Sequence, residues 1–344
     1  MAAESQKLTT AGAGAGTVQE LLDTAFSKLK ELGAGDEAFN LFPGGIGSVD
    51  LEIDSGGDAN AEFRLALKIS APTSQTAPAA ATVVEEDETE VTFNSEGHHV
   101  IAIMAFSDLQ TRLPNVAQKV EQILDAGDRT LTEAATFPDD IRDQQPETKP
   151  FHFIDIPFKD GGPVNPPLPH APHVLSKIKE FSNFFSRGGG SAQENVDALS
   201  WLIHMFGDIH QPLHCIEHIS SLHPGGDRGG NSFRLKGRAR NLHSAWDSST
   251  DVFQNIDEEQ LALQIAQQHT RASLATDLQV TDPEQWARAS FRLAKKHAYS
   301  ISENPQDPPK PSTAYLKNME KIGKRQAALA AYRLADRLEQ VLPA

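Results

Sequence analysis

A mainly α fold is predicted for this chain: a helical domain over 93–344, preceded by a small α+β module made of one helix and a hairpin. Three observations predict it. Apolar residues recur at helical spacing in segment after segment beyond residue 93. Residues 71–92 are Ala/Pro/Thr-rich and end in Glu85-Glu86-Asp87-Glu88-Thr89-Glu90, the composition of a solvated linker. Ahead of that linker, one helical pattern is followed by two segments that alternate apolar and polar residues.

In chain order, residues 1–16 are small and polar with an Ala/Gly repeat, the composition of a disordered start. Residues 17–32 place Val18, Leu21, Leu22, Ala25, Phe26, Leu29 and Leu32 on one helical face, with Thr17 as N-cap and Gly33 as stop. Val49-Asp50-Leu51-Glu52-Ile53 and Phe63-Arg64-Leu65-Ala66-Leu67-Lys68-Ile69 alternate as the strands of a hairpin with a long loop. Nothing in 17–70 carries chemistry, and its function stays open, with partner binding and regulation as the options. At Phe93 the character changes. Ser95 is positioned to cap a helix through Val100–Phe106, another helix covers 115–125, and the Pro/Gly-rich stretch 157–172 reads as a loop. Helical patterns return at 173–186, 192–218, 257–274, 283–299 and 312–341; residues 223–240 read as a loop with a short hairpin arm.

The totals narrow the function classes. Charged residues are 23% and apolar ones 39%, as in globular proteins, and no apolar run approaches the ~18 residues of a membrane span. A net charge of −16 argues against a broad, sequence-independent grip on duplex nucleic acid, but it leaves room for a metal-based phosphate site. The one cysteine, Cys215, excludes an internal disulfide framework. It adjoins His214, and a small buried apolar residue is the plainer reading than a ligand.

Five histidines fall between 204 and 223, out of 13 in the chain. His204 and Asp208 stand at i, i+4, which puts them on one helical face about a turn apart. Pro212 should kink or end that helix just before His214. His243 and Asp247 repeat the spacing downstream of the Gly229-Gly230-Asn231 turn. A lone His on an apolar face is usually a core residue with its hydrogen bonds made. Two His/Asp pairs and a further His instead give nitrogen and carboxylate donors suited to a borderline metal such as zinc.

These residues resemble the zinc-dependent single-strand nucleases of the S1/P1 type, whose helical fold is shared with zinc phospholipases C. The resemblance covers 93–344 and rests on HMFGDIHQPLH at 204–214, and on GGN at 229–231 followed by NLHSAWD at 241–247. It implies three zinc ions per chain. The implied ligands are Phe93, His98, Asp139, His152, His204 and Asp208 for a metal pair, and His214, His243 and Asp247 for a separate third metal. His99 is the register alternative to His98. At Asp139 the chain departs from the family, with Phe137-Pro138 in place of the usual Trp-Ala. At Phe93 it departs further: the family has Trp as the first residue of the mature enzyme, ligating through its free amine and carbonyl, whereas Phe93 is internal. Three outcomes stay open: cleavage after Thr92 with 1–92 as a pro-segment, weaker binding through the carbonyl and His98, or a site that fills only after processing.

The implied reaction is hydrolysis of phosphodiester bonds in single-stranded DNA and RNA. Zinc lowers the pKa of bound water from ~15.7 towards ~7, and paired metals clamp the attacking and leaving oxygens. A metal-activated hydroxide would attack phosphorus in line, with the third zinc at the departing 3′-oxygen and a 5′-phosphate product. Asp155 either orients the attacking water or supports His152. Arg142 either clamps the phosphoryl oxygens or forms a surface ion pair. Phe153 either stacks on a base or packs in the core, and Asn231 either meets a base edge or simply belongs to a tight turn. A stacking site needs an unstacked strand, which favours single-stranded substrate. Two other readings compete: a zinc phospholipase C-like phosphodiesterase on lipid head groups, and a metal-stabilised binding protein without activity. The Asp that closes NLHSAWD and the lack of an amphipathic docking helix favour the nuclease. A monomer is expected. The family resemblance implies a secreted or periplasmic enzyme, although the N-terminus lacks the apolar core of a signal peptide.

Overall fold

The computed structural model describes residues 6–11, 48–54, 64–70, 95–163, 165–249, 252–253 and 257–342. The chain divides into two compact units, Met1–Glu86 and Asp87–Ala344.

In the first unit, β1 (Gln6–Ala11), β2 (Ser48–Asp54) and β3 (Arg64–Ser70) form an antiparallel sheet in that order. The predicted hairpin is β2–β3, in a register that sets Val49 opposite Ile69 and Leu51 opposite Leu67. The strand β1 lies where composition argued for disorder. Thr9 and Thr10 favour extended backbone, and β2 offers an edge for pairing, which a reading of local composition does not register. The helix expected at 17–32, the linker at 71–92 and Phe93 lie outside the described residues.

The second unit is mainly α, as predicted. Its helices are α1 (Ser95–Arg112), α2 (Pro114–Ala126), α3 (Leu131–Ile141), α4 (Val174–Ser186), α5 (Ala192–Asp208), α6 (Leu242–Asp247), α7 (Glu258–Gln268), α8 (Ala275–Leu278), α9 (Pro283–His297) and α10 (Thr313–Val341). At the centre is α5. Ser191 caps it in a reciprocal box with Glu194, which satisfies end N–H groups that the helix itself cannot. From Ala198 to Asp208 every residue of α5 is buried, so this helix is enclosed on all sides. Helices α3 and α4 pack on it, and α1 packs on α3 and α10.

Three local expectations need correction. The pattern over 192–218 is not one helix: α5 ends at Asp208, Pro212–Cys215 form a 3-10 turn, and Glu217–His218 form a short strand, β5. Pro212 has no N–H to continue the α-helix. The stretch 157–172 is not loop throughout, because Pro157–Phe158 form β4, paired in parallel with β5. Sequence periodicity also missed α3, since Pro138 sits inside it. Pro138 takes from α3 the N–H that would reach the Ala134 carbonyl, and a Thr130–Glu133 capping box secures the helix start.

Candidate metal centre and cleft

The candidate ligand side chains arrive from six places. α5 supplies His204 and Asp208, fully buried. α1 brings His98, and α3 brings Asp139. A 3-10 segment, Pro146–His152, ends on His152, while the Pro212–Cys215 turn and α6 carry His214 and the His243/Asp247 pair. Two braces hold the more distant ligands. Arg129 lies 3.7 Å over the Phe137 ring and binds Asp197 and Ser200 of α5, which ties α3 to α5 beside Asp139. Trp201 packs edge-on against Phe151 and tilts over His152, its ring centres at 5.3 and 5.4 Å.

The donor atoms converge. His152 Nδ1 is 2.9 Å from His204 Nε2 and 3.2 Å from Asp208 Oδ2. Asp139 Oδ1 is 3.7 Å from both imidazoles. Asp208 Oδ1 lies 3.6 Å from His98 Nε2 and 3.0 Å from His214 Nδ1. On the other side, Asp247 approaches His214 Nε2 at 3.4 Å and His243 Nε2 at 3.5 Å. Among the described residues three groups have geometry that can hold a metal ion: His98/Asp139/His204, His152/His204/Asp208 and His214/His243/Asp247.

Backbone carbonyls set the imidazole orientations. His204 Nδ1 donates to the Ala135 carbonyl at 2.7 Å, and His243 Nδ1 donates to Gly229 O at 2.8 Å. In both rings Nε2 is the nitrogen turned to the carboxylates, the one that would ligate a metal once it carries no proton, as outer partners arrange in metal-binding histidines. Gly229 has φ +60, and a Cβ there would stand 2.6 Å from the Leu213 carbonyl, so the approach requires glycine.

Charge and burial point the same way. Burial alone would favour neutral His204, but Asp208 and Asp139 outweigh it and raise its pKa to about 9. His214 is likewise held well above the ordinary histidine value, against burial, by Asp208 and Asp247. Asp208 itself is held well below the usual carboxylate range, again against burial, by the His204 and His214 charges. His98 is pushed well down by burial and by His204. The centre therefore favours positive charge. Asp139 Oδ1, His152 Nε2 and Asp247 Oδ2 are buried without a hydrogen-bond partner, a costly state that a bound cation would relieve. Mixed imidazole and carboxylate donors in groups of three fit zinc.

Alongside the centre runs a cleft of about 320 Å3. Arg142, Phe153, Asp155 and Asn231, the four residues expected to handle substrate or water, all line it. Asp155 is exposed at the cleft wall. Asn231 Nδ2 donates to the Arg228 carbonyl at 3.0 Å, so the amide helps shape its own turn. His99 faces elsewhere and pairs with Glu258 at 2.7 Å. Cys215 is buried, with its thiol directed at the Ile209 carbonyl and its pKa pushed up by that burial. The cleft also contains Lys149, Glu217 and Arg228, which sequence reasoning did not single out. Glu217 accepts from the Arg228 backbone N–H at 3.2 Å, and burial raises its carboxyl to about 7. Its position three residues after His214 was the available signal.

Comparison with known proteins follows the same residues. The S1/P1 Nuclease family profile matches residues 93–343. Nuclease S1 of Aspergillus oryzae is 29% identical over 159 residues, covering 44% of this chain and 52% of its own length. Endonuclease 2 of Arabidopsis thaliana is 27% identical over 171 residues, covering 46% and 55%. Endonuclease 4 of the same plant is 27% identical over 241 residues, covering 60% and 76%. The chain thus spans about half the length of the first two relatives. With the family profile matched across its whole helical unit, the chain belongs to the S1/P1 nuclease family.

Proposed function

We propose that this protein is a zinc-dependent endonuclease that hydrolyses phosphodiester bonds of single-stranded DNA and RNA to 5′-phosphate products. One observation carries the reading: three His/Asp groups with buried, unpartnered donor atoms stand beside a cleft lined by Arg142, Phe153 and Asp155. Zinc, when bound, lowers the pKa of water and offsets phosphate charge. His98, Asp139, His152, His204 and Asp208 would hold the paired ions, with Phe93 completing that set, and His214, His243 and Asp247 would hold the third.

The chain's own groups supply the rest. Asp155 accepts a hydrogen bond from the attacking water and turns its lone pair towards phosphorus. Arg142 donates to the non-bridging phosphoryl oxygens, where negative charge grows. Phe153 stacks on one base, worth ~1–3 kcal/mol and indifferent to sequence. Such a contact requires a splayed strand and supports single-stranded substrate over duplex.

The test is zinc per chain by elemental analysis, alongside release of acid-soluble nucleotides from single-stranded DNA. Zinc close to the number of His/Asp groups, with 5′-phosphorylated products, is the expected result. Zinc-loaded protein that leaves single-stranded DNA intact but releases choline phosphate from phosphatidylcholine would overturn it.

We further propose that cleavage after Thr92 frees the Phe93 amine and that 1–92 act as a pro-segment. N-terminal sequencing of active protein would then read Phe-Asn-Ser-Glu. A fully active, uncut chain would end that idea.

A further inference from the structure

The chain carries 47 acidic and 31 basic residues, yet residues 228–240 contain Arg228, Arg234, Lys236, Arg238 and Arg240 and no acid. The structure gives this basic stretch a definite form. Leu235 N donates to Arg240 O at 2.9 Å, Leu242 N donates to Phe233 O at 2.9 Å, and Arg234 bridges Asn241 antiparallel. The result is a short two-stranded arm that turns near Gly237, which has φ +126. Successive side chains on extended backbone face opposite ways. Phe233 and Leu235 are buried at 2% and 8%, whereas Arg234, Lys236, Arg238 and Arg240 are exposed. The arm thus has an apolar root and a solvent face of a single charge.

Both ends of the arm are fastened to the cleft. Phe233 N and His243 N donate to the same Gly230 carbonyl, at 3.2 and 3.3 Å. Asn231, just before the arm, and His243, just after it, line the cleft. Lys236 is steadied by Asp307, and its backbone N–H donates to the Pro309 carbonyl at 2.9 Å, which fixes the arm from outside. Like charges in neighbouring positions on one face repel one another. A partner with regularly spaced negative charge relieves that repulsion.

We propose that the arm at 232–242 binds the phosphate backbone of the single strand that flanks the scissile bond. This rests on the nuclease reading and deepens it. The metal centre handles one phosphodiester, while Arg234 and Arg240 hold phosphates further along, so the enzyme prefers long strands to dinucleotides. The contact is to phosphate and carries no base preference.

The test uses the zinc-loaded full chain with two substrates, a thymidine dinucleotide and a 20-nucleotide oligothymidylate, across a salt series. In R234A/R240A, kcat/KM on the 20-mer should fall about 10-fold at low salt, and its log–log salt slope should shrink by about 1.4, from ~0.7 for each of two lost phosphate contacts on a single strand. The dinucleotide, too short to reach the arm, should be cut as before, and R234K/R240K should restore the 20-mer. An unchanged 20-mer slope, or an equal loss on both substrates, would overturn the proposal. If neither the full chain nor the chain beginning at Phe93 cuts either substrate, the nuclease reading fails on its own. The arm is then judged by fluorescence anisotropy of the labelled 20-mer, where a salt-dependent loss in R234A/R240A still supports it. Loss of binding to phosphatidylserine vesicles with unchanged 20-mer binding assigns the arm to a membrane surface and overturns it.

Discussion

His204 and Asp208 lie at the end of a 17-residue helix wrapped by the core, while His243 and Asp247 occupy a helix of six residues. The i, i+4 spacing is the same and the support is not. α5 carries its own capping box and buries every residue from Ala198 onward. A helix as short as α6 is marginal alone and depends on its surroundings. Those surroundings are the Asn241 cap on Ser244 N, the Trp246 indole bound to the Tyr315 hydroxyl at 2.8 Å, and the Gly229 carbonyl on His243. The first pair is therefore part of the core, and the second is set by a turn.

Replacing Asp208 tests the core pair most severely. Asp208→Asn removes the carboxylate that faces His98, His152, His204 and His214 together. Activity on single-stranded DNA should fall by more than the ~10–100-fold typical of losing an outer-shell partner. Zinc content should drop with it, as read by elemental analysis. Retained zinc and near-normal turnover would show that Asp208 is a structural residue only.

His243→Ala should act on one group alone. One zinc of the three groups should be lost while the paired site keeps its metal. The melting temperature of the apo chain should fall only slightly, since the ring loses one bond to the Gly229 carbonyl and its stacking on His214. If His243→Ala empties all three groups, the two regions are coupled and the contrast between them fails.

The contrast also explains what was readable in the sequence. Both i, i+4 pairs were legible because each is local, two donors on one turn of one helix. Asp139 and His152 have no local signature. α3 hides behind Pro138, and His152 enters the centre only because Trp201 and Phe151 pin a 3-10 turn; only the family resemblance could assign them. The single helix read over 192–218 failed for a related reason. Apolar periodicity continued past Asp208, whereas Pro212 and the pairing of β4 with β5 decided the backbone. Lys149, Glu217 and Arg228 join the cleft through tertiary contacts that no spacing records, and β1 depends on a partner about 40 residues away.

Gly229→Ala sharpens the comparison without touching a donor atom. The new Cβ meets the Leu213 carbonyl at a backbone φ of +60, and the Gly229 carbonyl that orients His243 must shift. A cost of ~1–3 kcal/mol is expected for the strained residue. Activity should fall ~10–100-fold through the third group. Zinc in the paired site should stay, and an equal loss there would refute the idea that only the second pair hangs on this turn.

The last effect is on stability against pH, and its sign separates apo from loaded protein. In the apo chain His204 titrates at about 9, above the ~6.5 of an unfolded histidine. Its contribution is then complete below about pH 6.5 and disappears as pH rises through about 9. His214, raised well above the ordinary value, adds the same sign. Asp208, lowered, contributes stability that is present above the unfolded carboxylate value and lost as pH falls through its folded one. The melting temperature of chelator-treated protein should therefore decline from pH 6.5 to 9, by a loss of at most on the order of 3 kcal/mol from His204. Bound zinc would reverse the dependence, because the same nitrogens would have to shed their protons to hold it, so the loaded protein should gain stability across that window. Differential scanning calorimetry with and without chelator would show the two curves running in opposite directions, and H204Q should flatten the apo decline. A flat apo curve in the unsubstituted chain would mean that the carboxylates do not hold these imidazoles protonated, and the case for a centre organised around positive charge would rest on the unpartnered donor atoms alone.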